Sequence, residues 1–210
     1  MLLLNILPKE ISEALRAGHQ PMPAQYEAAS ILFADIVEFT PMAATMTPLH
    51  LVDLLNEVFQ CFDDLVEKYG LEKIKTIGDC YMVAAGVPRS SPNHARLIVN
   101  LALDMQAAAA ERKFGDRQLS FRIGVNSGQV VAGVIGRKKF IYDLWGDAVN
   151  VASRMGCTSL STRGAPDASE RPIITLSLRG LHRGAVCRGS HNASSGNAKR
   201  SATSATISTT

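Results

Sequence analysis

KIKTIGDCYMVAAGVP, residues 73–88, reads as two short strands, Lys73 to Ile77 and Cys80 to Val87, folded about the two-residue connection Gly78-Asp79. Upstream, Leu51, Leu54, Leu55, Val58, Phe59, Phe62, Leu65, Val66 and Tyr69 recur at steps of three and four, the spacing of one buried helical stripe. Thr47 and Pro48 supply an N-cap and a first-turn proline for that helix, and Gly70 ends it. Before it, SILFADI (30–36) is a short apolar strand, and Val37 to Thr45 is read as a loop. After the hairpin, Leu97, Ile98, Leu101, Leu103 and Met105 predict a second amphipathic helix over 94–112.

Two more strands, Leu119 to Val125 and Gln129 to Ile135, are predicted about a turn at Asn126-Ser127-Gly128. A last short strand over 140–144 leads into a helix from Gly146 to Met155 capped by Asp147. The order strand, helix, strand, strand, helix, strand is the split βαβ, ferredoxin-like plan, so the expected class is α/β (α+β) with a βαββαβ core. A short helix over 8–17 and an extended Pro-containing linker over 19–24 precede it.

Composition sets the bounds. With 210 residues, 46% of them hydrophobic and 20% charged, the chain suits one folded domain rather than a disordered acidic polymer. No run reaches the length a membrane span requires, and residues 1–7 lack a basic flank for a signal peptide, so a cytoplasmic location is expected. Cys61, Cys80, Cys157 and Cys187 form no CxxC pair, which argues against a zinc site or a disulfide framework. The net charge of +3 is uneven: residues 156–210 hold seven Lys and Arg against two Asp and Glu, while the first 155 hold fifteen against seventeen. That segment also has 17 Ser and Thr and no Phe, Tyr, Trp or Met, too little apolar surface to offset chain entropy, so it is expected to be a disordered basic tail. Without aromatic stacking residues it carries no expectation of specific nucleic-acid binding.

Several polar residues stand where chemistry can be done. The first and third strands of a βαββαβ sheet are central neighbours, so Asp35 at a strand end and Asp79 at the hairpin tip can lie side by side and bind a divalent cation. Taken singly, each Asp equally serves its own turn. Asn150 and Arg154, four apart, share one face of the last helix. Arg122 projects opposite Phe121 and Ile123, as either a solvated edge residue or a phosphate clamp. The glycines at 124, 128, 133 and 136 fit neither a dinucleotide fingerprint nor a phosphate loop.

Four blocks taken together, FADIVEFT (33–40), KIKTIGDCYMVAAGVP (73–88), FRIGVNSGQVVAGVIG (121–136) and FIYDLWGDAVNVASRM (140–155), resemble the class III nucleotidyl cyclase catalytic domain. The resemblance implies a catalytic domain over 28–155. It also implies that residues 1–27, with LLNILPKEISEALRAG (3–18), couple that domain to an upstream membrane or sensor module. By resemblance, Asp35 and Asp79, with the carbonyl of Ile36, would hold two cations, Mg2+ or Mn2+. Lys75 and Asp143 would read the purine, and these residue types imply adenine, since guanylyl cyclases typically carry Glu and Cys there. Lys donates to the N1 acceptor and Asp accepts from the exocyclic amine, whereas guanine reverses that pattern. Asn150 would orient the ribose, Arg154 would stabilise the transition state and Arg122 would contact the triphosphate. The implied reaction is ATP to 3′,5′-cyclic AMP and pyrophosphate, at two sites shared by a head-to-tail homodimer.

Two features depart from the family. Glu38 stands where the family usually has Gly (FADIVGFT), in the loop whose amides approach the triphosphate. After Met155 the continuation that resembles ESTG, leading to further strands and a phosphate-binding lysine, is replaced by GCTSLSTRGAPD (156–167), an abrupt change of the kind a shifted reading frame produces. The alternative this raises is a degenerate cyclase-like protein that binds only nucleotide or a partner cyclase.

Overall fold

The computed structural model describes residues 7–19, 22–136, 140–157, 173–177 and 205–208. In chain order the elements are α1 (Lys9–Arg16), β1 (Ala24–Ile36), α2 (Phe39–Ala43), α3 (Pro48–Tyr69), β2 (Glu72–Ile77) and β3 (Cys80–Ala85). There follow α4 (His94–Glu111), β4 (Phe121–Ile135), β5 (Ile141–Trp145), α5 (Asp147–Cys157), β6 (Ile173–Ser177) and β7 (Ala205–Ser208). The first four strands lie in the order β2-β3-β1-β4, each neighbour antiparallel, which is the expected ferredoxin-like arrangement. β5 pairs with the distal half of β4, and β6 and β7 extend the β4 edge in parallel.

Strand alternation divides the core in two. Leu32, Ala34 and Ile36 of β1, with Tyr81, Val83, Phe121, Ile123 and Val125, face α3 and α4. The stripe of α3 is buried there through Leu54, Val58, Cys61, Phe62 and Val66. Thr47 caps that helix by accepting from the His50 amide, and Gly70 closes it at φ 61. The other residues of the same strands, Ile31, Phe33, Met82 and Ala84, join Val130, Ala132, Tyr142 and Leu144 beneath α1 and α5. Leu7, Ile11 and Leu15 anchor α1 on this second layer.

The structure departs from the sequence reading at several points. The predicted turn at Asn126-Ser127-Gly128 is absent: β4 runs unbroken for 15 residues, because these three residues pair in register with Ile31, Ser30 and Ala29 of β1 and two of their side chains find partners within the fold. Asn126 Nδ2 donates to the Ala148 carbonyl at 3.1 Å, and the Ser127 and Ser30 hydroxyls meet at 2.6 Å. β1 is correspondingly longer than SILFADI, starting at Ala24 and passing a bulge between Tyr26 and Ala29. The expected loop after β1 contains the short helix α2, and Leu103 of α4 is 46% exposed rather than packed. Within 156–210, where no ordered element is predicted, β6 and β7 are found and α5 continues to Cys157. The replaced segment from residue 158 to 167 lies outside the described residues.

Candidate active site

Asp35 is the next-to-last residue of β1, on the face of Ile31 and Phe33, and β4 places Arg122 directly across from it. The guanidinium Nη2 donates to Asp35 Oδ2 at 2.8 Å, an ion pair in which both side chains are largely buried. The Nε of Arg122 is buried and has no hydrogen-bond partner. The β2–β3 hairpin delivers the second carboxylate. Ile77 pairs with Cys80, Gly78 takes φ 63, and Asp79 is held at the tip beside Asp35. Burial raises the Asp79 carboxyl to about 6, helped by the charge of Asp35 and a hydrogen bond with it, while the backbone amides of Asp79 and Ile36 pull the other way.

This geometry answers whether the residues fit a cation. Two adjacent, partly buried carboxylates repel when both are ionised, and a divalent ion held by the pair would remove that penalty. Among the described residues no cluster of three or more His, Cys, Asp or Glu side chains is poised to ligate a metal. Asp35 and Asp79 therefore supply too few ligands to fill a coordination shell, the situation in which Mg2+ or Mn2+ takes its remaining ligands from water and a substrate's phosphates. The residues fit a cation that arrives with a polyphosphate.

A second group forms 68 residues apart in sequence: Lys75 Nζ of β2 donates to Asp143 Oδ2 of β5 at 2.5 Å, and Asp143 Oδ1 accepts from the Leu144 amide at 2.9 Å. Both side chains are about two-thirds or more buried. Lys75 and Asp79 are four positions apart, yet their partners differ: one joins β5, the other joins the end of β1. Asn150 and Arg154 form a third group, exposed on α5, with Arg154 Nε donating to the Asn150 carbonyl at 3.2 Å. Packing fixes that helix. A Cβ on Gly124 of β4 would lie 2.2 Å from the Gly156 nitrogen and 2.5 Å from the Ala152 carbonyl oxygen, so only glycine lets α5 seat this close.

The sequence reading named every residue in these groups but not two supporting features. The Asp35–Arg122 ion pair follows from a cross-strand register, and no local signal announces it. The buried Asn126 that ties β4 to α5 was read as a turn residue. Glu38 sits at φ 55, the one non-glycine among the described residues with positive φ, in the position where a glycine is expected.

The model of the adenylate and guanylate cyclase catalytic domain matches residues 22–165. An adenylate cyclase of Mycobacterium tuberculosis is 48% identical over 159 residues, covering 75% of this chain and 36% of that protein. Retinal guanylyl cyclase 1 of Rattus norvegicus is 40% identical over 192 residues, covering 90% of this chain and 17% of that protein. Among solved structures, the catalytic core of a rhodopsin-guanylyl cyclase with converted specificity, in complex with ATPαS, superposes with TM-score 0.63 at 37% identity. That superposition covers 65% of this chain and 74% of the other. The chain thus spans about a third or less of the length of these two curated relatives.

Proposed function

Since the chain belongs to the adenylate and guanylate cyclase catalytic domain family, the class III nucleotidyl cyclases, we propose that it converts ATP to 3′,5′-cyclic AMP and pyrophosphate at sites shared between two copies. Both adenylate and guanylyl cyclases are among its relatives, so the purine is argued from the chain's own residues. The observation that carries the adenine reading is the Lys75–Asp143 pair. Held at 2.5 Å, it offers an ammonium donor for N1 and a carboxylate acceptor for the exocyclic amine, the pattern of adenine. Guanine would meet a carboxylate with its carbonyl and an ammonium with its protonated N1.

In this reading Asp35, Asp79 and the Ile36 carbonyl would hold two Mg2+ or Mn2+ ions, which would supply Lewis-acid stabilisation of the reacting oxygens when bound. The chain's side chains do the rest. Asn150 orients the ribose so that its 3′-oxygen faces the α-phosphorus. A bond forms between those atoms, the bond from the α-phosphorus to the bridging oxygen breaks, pyrophosphate leaves, and the 3′-hydroxyl proton passes to solvent. Arg154, exposed and four residues beyond Asn150, meets the charge that develops on the α-phosphoryl oxygens. Arg122 holds the triphosphate.

The division of labour favours a head-to-tail homodimer. Val131, Ile135, Ile141 and Trp145 share one face of the β4–β5 hairpin around Asp143 and are 38–59% exposed, an apolar surface that a second copy would cover. α1, docked through Leu7, Ile11 and Leu15, is assigned to couple the domain to an upstream sensor or membrane module; among the described residues no helix is long and apolar enough to cross a membrane. Incubating the purified chain with Mn2+ and either ATP or GTP, and identifying the product, tests the proposal. Cyclic AMP from ATP is expected. Preferential cyclic GMP would refute the purine assignment, and a folded protein that binds ATP without product would establish the degenerate alternative.

A further inference from the structure

The guanidinium of Arg122 and a divalent cation have claims on the same carboxylate. Arg122 Nη2 lies 2.8 Å from Asp35 Oδ2, on the side chain that stands beside Asp79. Cross-strand pairing of residues 35 and 122 fixes both backbones, so the contact is built into the sheet and not into a mobile loop. A cation held by the two aspartates would compete for the carboxylate that Arg122 now engages through Oδ2, and it would bring two positive groups close together. That repulsion favours turning Arg122 to another anion. Its Nε, buried and without a hydrogen-bond partner, is already a donor in search of one. The nearest anion that the loaded site can offer is the polyphosphate whose oxygens complete the cation's shell.

We propose that Arg122 gates the carboxylate pair: it occupies Asp35 until a nucleotide triphosphate takes the guanidinium, which frees the carboxylate for the cation. Nucleotide and cation then help each other bind through an exchange of partners at one arginine, beyond their direct attraction. The coupling is reciprocal, because whatever pulls Arg122 away from Asp35 lowers the cost for whichever ligand comes second. Arg122 acts here as a positioning residue, through Asp35. The inference rests on the cyclase reading above and adds to it an order among the ligands, in which the bare site binds metal weakly.

Two binding measurements, neither requiring turnover, test the gate. The first is the affinity of ATP in EDTA. Wild type must break the Arg122–Asp35 pair to bind, whereas Asp35→Asn weakens that pair and should bind metal-free ATP about tenfold more tightly, the scale of one charged hydrogen bond. Asp79→Asn removes the same charge from the same place without touching Arg122, so it should gain about threefold or less from the general field. In an Arg122→Met background the advantage of Asp35→Asn over Asp79→Asn should vanish. The second is the affinity for Mn2+ alone, by electron paramagnetic resonance, where Arg122→Met should bind about tenfold more tightly than wild type and Arg122→Lys should fall between.

Equal gains from Asp35→Asn and Asp79→Asn, or a gain that survives in Arg122→Met, would overturn the gate, as would Mn2+ binding unchanged or weakened in Arg122→Met. Should Asp35→Asn lose its fold by circular dichroism, the Mn2+ series on Arg122 decides by itself. Wild type that binds no ATP even with Mn2+ would overturn the cyclase reading and the gate together. Wild type that binds ATP with Mn2+ but shows none of these differences would overturn the gate alone.

Discussion

Replacing Glu38 with glycine should make the domain both more stable and better at holding a triphosphate, and the two gains can be separated. Glu38 takes φ 55 and ψ 30 at the start of α2, three residues beyond Asp35. A residue with a Cβ costs about 1–2 kcal/mol in the left-handed region, and glycine escapes that cost while losing about 0.5–1 kcal/mol to the freedom of its unfolded chain. The net gain, about 0.5–1 kcal/mol, corresponds to a rise in Tm of about 1–4 °C for a domain of this size. The carboxylate is exposed, so its repulsion of a triphosphate is screened, and its removal should lower the KM for ATP by about threefold. Glu38→Gln isolates the charge: KM should fall with Tm unchanged. Glu38→Gly should show both effects, and only the KM effect should shrink in high salt. Thermal unfolding followed by circular dichroism, with steady-state kinetics in low and high salt, reads all four quantities. A lower Tm for Glu38→Gly would show that this position has no need of the left-handed conformation. A KM that neither variant changes would show that the loop does not approach phosphate.

Two further perturbations act on the scaffold. Gly124→Ala drives a Cβ to within 2.2 Å of the Gly156 backbone, where no flexible side chain can yield, so α5 must lift; a loss of about 3 kcal/mol or more is expected. Denaturant titration checks it, and a loss below about 1 kcal/mol would mean that α5 is not seated on β4 as described. Glu72 gives a pH dependence. Burial, with the charge of Glu10, raises its carboxyl to about 7, so the folded state holds the proton more tightly than the unfolded chain does. The stability this supplies is fully present below the unfolded carboxyl range and is lost as pH climbs through 7, by about 2 kcal/mol once solvent screening of this partly exposed group is discounted. Glu72→Gln should therefore match wild type near pH 4 and exceed it near pH 8. Parallel stability curves for the two proteins across that window would contradict this.

Much of the fold was legible because it is written in local patterns. The α3 stripe, its Thr47 cap and its Gly70 terminus each follow from a few neighbouring residues, and so does the hairpin at Gly78-Asp79. From these the topology follows, and the topology alone brings Asp35 beside Asp79. What was not legible depends on partners distant in sequence. Asn126, Ser127 and Gly128 are turn residues by type, and only Ala148 of α5 and Ser30 of β1 make them strand residues. Arg122 reads equally as an edge residue or a phosphate clamp because the residue that holds it lies 87 positions away. Lys75 and Asp143 were matched by resemblance, but their contact requires the β4–β5 hairpin to bring β5 to β2, which no periodicity encodes.

Complementation between two inactive variants tests whether one catalytic centre is assembled from two copies. Asp35→Ala removes a carboxylate from the proposed metal pair and Asn150→Ala removes the side chain proposed to orient the ribose, and in the proposed dimer these belong to opposite halves of each site. Each variant alone should form no cyclic AMP. Mixed in equal amounts and allowed to exchange subunits, they should recover about a quarter of wild-type activity, because half of the dimers are mixed and each mixed dimer carries one intact site of two. No recovery, from single variants that still fold and dimerise, would contradict the shared site.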